Sequence, residues 1–152
     1  MKRIASIAVL AGLVPAFAAG FVLAHDDAYL DTQKAPNGGQ LRMAGPYHYE
    51  LVLTKNATAA QESPVVVYVT DHADNKISTT GAKGSATILS GKQKVVAELK
   101  PDGDNRLKGM AKYVAAPETK VVVSVTLAGK QTEQARFTPL AVAKDTHTDH
   151  KH

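Results

Sequence analysis

The chain of 152 residues has no cysteine and no tryptophan, and aromatic residues make up only 5% of it. Without thiols there is no disulfide, no thiolate metal site and no cysteine nucleophile, so stability has to come from a hydrophobic core. Three Phe and five Tyr are too few and too scattered to form a base-stacking module. Runs of one charge sign are missing as well. Basic residues are interspersed with acidic ones, and Lys2 and Arg3 at the extreme N-terminus carry half of the formal +4 charge. No phosphate-tracking stripe results, and nucleic acid is not expected as a partner.

Catalytic constellations are equally thin. The chain contains neither Gly-x-Ser-x-Gly nor His-Glu-x-x-His, and Ser124 lies inside a valine run rather than at a nucleophile turn. The acidic pairs Asp26/Asp27 and Asp102/Asp104 sit in loop-like sequence with no apolar aromatic pocket to raise a carboxyl pKa. The glycines at 81, 84 and 91 punctuate strand-like segments and do not lead from a strand into a helix, so a phosphate cradle has no support. The expectation is a non-enzymatic protein.

What the chain does contain is β-branched sequence. Pro64-Val65-Val66-Val67-Tyr68-Val69-Thr70 and Lys120-Val121-Val122-Val123-Ser124-Val125-Thr126-Leu127 read as central strands, because branched side chains fit a pleated surface and neither run has a 3.6-residue stripe. Around them the same alternation recurs over Gln40 to Ala44, Tyr47 to Thr54, Gly84 to Ser90, Gln93 to Lys100, Arg106 to Val114 and Gln131 to Thr138. Gly45-Pro46, Gly91-Lys92 and Pro101-Asp102-Gly103-Asp104-Asn105 supply the reversals. About eight short strands without a helical pattern predict an all-β domain over residues 39–139. An immunoglobulin-like antiparallel β-sandwich is the first expectation and a small antiparallel barrel the second. Its buried faces should include Tyr49, Leu51, Leu53, Val65, Val67, Val69, Val95, Leu99, Val121, Val123, Val125 and Phe137.

The flanks differ from this domain. Lys2 and Arg3 precede an uncharged apolar run, Ile4 to Val14, ended by Pro15, which predicts a secretory signal peptide over residues 1–24. Small residues permit cleavage after Ala18 or after Ala24, the latter making His25 the new N-terminus. No cysteine precedes either position to carry a lipid, and no second apolar run of membrane length follows, so no membrane insertion is expected after processing. Residues 25–38 read as an exposed leader ending in the Asn37-Gly38-Gly39 turn. Residues 140–152 read as a mobile tail holding His147, His150 and His152.

With thiolates absent, imidazole is the chief neutral metal ligand left, and it suits divalent copper, zinc and nickel, while thioethers favour monovalent copper. His48, the adjacent Asp71 and His72, and His25 form the candidate metal set, with Met43 and Met110 as soft additions. Cleavage after Ala24 would give His25 an α-amine beside its imidazole. Copper is the expected ion and zinc the second. Against this stands a plainer account: His48 alternates with Tyr47 and Tyr49 and so points toward solvent as a surface residue, Asp71-His72 populates a turn, and the methionines fill gaps. A histidine tail captures metal with little geometric selectivity.

The segment Asn37-Gly38-Gly39-Gln40-Leu41-Arg42-Met43-Ala44-Gly45-Pro46-Tyr47-His48-Tyr49-Glu50-Leu51-Val52, with Val67-Tyr68-Val69-Thr70-Asp71-His72, resembles a family of small exported proteins and domains associated with heavy-metal efflux systems of Gram-negative bacteria. The likeness extends over residues 37–139, including Gly81 to Thr87 and Gln134 to Pro139. It implies a periplasmic location, handling of copper, silver, zinc or cobalt in heavy-metal resistance, and an efflux component as partner. Related members have His where this chain has Asn37, which shifts the implied ligand positions to His48 and His72. The competing expectation is a periplasmic interaction module that offers a strand edge or loops to an envelope partner and binds no metal.

Overall fold

A computed structural model describes residues 26–142 of the chain. The signal-peptide stretch, His25 and the tail histidines His147, His150 and His152 lie outside the described residues. One short helix, α1 (Asp27–Thr32), precedes eight strands: β1 (Gln40–Ala44), β2 (Tyr47–Leu53), β3 (Ser63–Asp71), β4 (Lys83–Ser90), β5 (Gln93–Pro101), β6 (Arg106–Ala111), β7 (Lys120–Thr126) and β8 (Thr132–Phe137).

All pairings are antiparallel, in the order β1-β2-β3-β6-β5-β4-β7-β8, and the two outermost strands approach each other to give one nearly closed sheet with a barrel shape. The all-β, eight-strand expectation holds. An immunoglobulin-like division into two separate sheets is unsupported by this ladder. The link is β5, which pairs with β4 through Leu99 and with β6 at Lys100 and Pro101. Period-2 alternation fixes which face of a strand is buried, and it is the same for a sandwich and a barrel.

The valine runs form β3 and β7, where every second residue is buried: Val65, Val67 and Val69 in one, Val121, Val123 and Val125 in the other. Tyr49, Leu51, Leu53, Leu99 and Phe137 join them as expected, while Val95 is only partly buried against the cluster. Tyr113 closes one end, its hydroxyl accepting from the Thr54 amide at 2.9 Å and donating to the Pro64 carbonyl at 2.9 Å. Two-residue loops at Gly45-Pro46 and Gly91-Lys92 join β1 to β2 and β4 to β5. Each opens with a glycine at positive φ, +56° and +57°, as primed hairpin turns require.

The stretch expected to be an exposed leader is partly structured. Asp26 caps α1 by accepting from the Tyr29 amide at 2.7 Å, and Leu30 and Ala35 are buried. Asp27 and Asp31 share a helix face and both reach Arg42 of β1, at 3.5 and 2.7 Å. The guanidinium is almost fully buried, so this pairing ties the helix to the strand.

Candidate functional site

The outer face of β1, β2 and β3 and the near side of α1 enclose a cavity of about 450 Å³. Its floor follows from strand register: Leu41 lies opposite Glu50, Glu50 opposite Tyr68, and His48 opposite Thr70. Residues directly opposite on antiparallel strands share a face, so this row stands on the side away from Tyr49, Leu51 and the core. Leu30 and Tyr29 of α1 and the 71–76 turn supply the walls.

His48 is therefore on the predicted face but not in solvent; it is 6% exposed. The expectation of a solvent-facing imidazole is corrected by the helix and turn that stand over this part of the sheet. His72, just beyond the end of β3, lays its ring on that of His48, with centroids 4.9 Å apart and planes inclined at 18°. The Nε2 atoms of both rings are buried, and His48 Nδ1 is 4.0 Å from an Asp74 carboxylate oxygen. Two histidines 24 positions apart in sequence are thus brought side by side at the cavity.

Asp71 is not part of that pair. Its carboxylate accepts from the Ala73 amide at 2.8 Å, the Asn75 amide at 2.9 Å and the Asn75 side chain at 3.0 Å. The Asn75 side-chain bond, with the two backbone donors, holds this carboxyl below the usual carboxylate range. All three donors belong to the 71–75 reversal, so Asp71 builds the turn that aims His72 and places Asp74, whose own φ is +62°. Met43, the soft addition on β1, lies directly opposite His48. Met110 is on the outer side of β6 and 45% exposed, separate from this site.

One structural residue at the cavity carries no signal in the sequence. Glu50 is 3% exposed and accepts three hydrogen bonds, from the Asn37 amide at 2.8 Å, the Asn37 side chain at 2.9 Å and the Gly39 amide at 3.0 Å. It fastens the Asn37-Gly38-Gly39 turn to β2 and so fixes where the chain arrives from α1. Asn37 is thereby a turn anchor.

Two adjacent imidazoles are the donor content of a low-coordinate metal site and fall short of a four-ligand divalent one. Among the described residues no group of three or more His, Asp and Glu side chains converges as a metal-holding set. The charged groups that line the cavity with the pair are Asp74, Lys76 and Lys34, with Glu50 occupied by its turn. Among the described residues no helix is long and apolar enough to cross a membrane. No protein-family model, curated protein or solved structure matches the chain.

Proposed function

We propose that this is an exported, non-enzymatic copper-binding protein of the periplasm, serving heavy-metal resistance beside an efflux component, with His48 and His72 as its metal ligands. The observation that carries the reading is the stacking of these two rings at 4.9 Å with both Nε2 atoms buried. Two imidazoles held side by side at a cavity offer neutral nitrogen donors, the ligand type that suits copper. Asp71 acts through the turn, and cleavage after Ala24 would give His25 an α-amine beside its imidazole as further donors. The affinity of such a site falls with acid. Imidazole coordinates as the neutral base, so binding weakens as acid protonates the ligands.

The test is a competitive copper titration of the protein with H147Q, H150Q and H152Q in place, which removes loose capture by the tail. The reading expects one folded site tighter than about 100 μM, lost when His48 and His72 are both replaced by Gln. Unchanged affinity in that double variant would sink it.

A second reading, an interaction module, is favoured by the outer face of β5 and β6. Val96 and Met110 are 58% and 45% exposed there, and Lys100 stands directly opposite Lys108. Glu98 lies 3.8 Å from Lys100 on the same face, so Lys108 is the charge that an acidic partner would meet. Crosslinking from position 96 in intact periplasm would capture that partner, whereas capture of none counts against the module.

A further inference from the structure

Resting on the histidine-pair reading, we infer that the Met43 thioether completes it into a two-imidazole, one-thioether site selective for a soft monovalent cation, cuprous copper or silver. Register places the third donor. Met43 of β1 is directly opposite His48 of β2, and His48 is directly opposite Thr70 of β3, two residues before His72. Met43 and His48 are therefore neighbours in one row across the outer face, and His72 follows one side-chain repeat beyond Thr70 on the same side, diagonal to His48. Opposed residues of an antiparallel pair have Cβ atoms about 5 Å apart. An unbranched thioether with three rotatable bonds covers that span and adapts to its target. Met43 is also half-buried, not out in solvent.

Charge decides which ion such a site accepts. With His48 Nδ1 turned toward Asp74 at 4.0 Å, Nε2 is the coordinating atom, and Nε2 of both rings is out of water. The cost of desolvating an ion rises with the square of its charge, so a divalent ion costs about four times what a monovalent one does. A divalent ion would need buried carboxylates in return. Glu50 is already taken up by Asn37 and Gly39, the Asp74 side chain is 90% exposed, and Lys34 and Lys76 add positive charge at the same cavity. Neutral nitrogen and sulfur donors suit a polarizable monovalent ion.

The experiment uses the full chain with the three tail histidines replaced by Gln and silver(I) as an air-stable probe, alongside zinc(II) and copper(II). Affinities come from competition with a chelator of known strength, and the Met43 methyl resonance is followed by NMR. Met43→Leu, which keeps volume, is expected to weaken silver at least tenfold while leaving zinc and copper(II) unchanged, and one equivalent of silver is expected to shift the Met43 methyl in the parent protein. If Met43→Leu leaves silver affinity intact and the methyl does not move, while His48→Gln with His72→Gln abolishes binding, the thioether is overturned and the histidine pair stands. Zinc or copper(II) binding tighter than silver overturns the monovalent preference. Silver binding that survives the double histidine variant overturns both the pair and its third ligand.

Discussion

Replacing Glu50 tests how the path from α1 into β1 is held. Two of its three hydrogen bonds come from backbone amides, at 2.8 and 3.0 Å, and the third from the Asn37 side chain at 2.9 Å, onto a carboxylate that is 3% exposed. Glu50→Ala leaves those donors facing a void. At roughly 1–3 kcal/mol for each buried group left unsatisfied, and allowing for water entry and local loosening of the turn, the loss should be about 3–5 kcal/mol. Glu50→Gln is a different case. One glutamine oxygen can keep both backbone donors, and the Asn37 amide can rotate so that its oxygen accepts from the new NH2 group. Only charge assistance is lost, about 1–2 kcal/mol. Asn37→Asp should be destabilising because it sets two carboxylates against each other, and adding Glu50→Gln to it should recover part of that loss. Urea unfolding of the four variants, with m-values compared, measures the series. A loss below about 1 kcal/mol for Glu50→Ala, or equal losses for Ala and Gln, would refute the clamp.

Other expectations follow from the same geometry. Val123 is fully buried between β4 and β8, so Val123→Ala should cost about 1–3 kcal/mol in thermal or urea unfolding; a neutral result contradicts the packing. Gly39→Ala would drive its Cβ into the Leu51 carbonyl, which the strand backbone cannot relieve, and soluble yield and melting temperature should both fall sharply. Because the Asp71 carboxyl is lowered by its bonds in the turn, its contribution is fully present above the unfolded value near 4 and is lost as pH falls through the lower folded value. The Asn75 amide resonance should therefore titrate below about pH 4, and a midpoint at or above that value would contradict the assignment.

The strands were legible because one face of each is buried. β1 and the start of β5 fall where the pattern puts them, and the glycine-led turns at 45 and 91 hold at two residues. Partner choice was not legible. Alternation says nothing about β3 pairing with β6, or about β5 leaving β4 to meet β6 at Lys100. The helix was hidden by brevity: six residues with one buried side chain show no periodicity, although Asp26 before Asp27 and Tyr29 is an N-cap signal that marks its start. Missing α1 is also why His48 is expected in solvent, since the alternation gives its face correctly but not what stands over that face. Asp71 is better described by the plainer turn reading, because an Asx side chain followed by Asn75 at a reversal finds its donors locally. Nothing in the spacing joins Glu50 to Asn37.

The central claim is that His48 and His72 act together on a metal ion, and the imidazole nitrogens report it most directly. Long-range nitrogen–proton NMR of the full chain, titrated with silver(I), follows each Nδ1 and Nε2 separately. The account predicts that the Nε2 resonances of His48 and His72 move together and saturate at one equivalent, before His147, His150 and His152 respond. Movement confined to the tail histidines, or of one ring of the pair without the other, would contradict it.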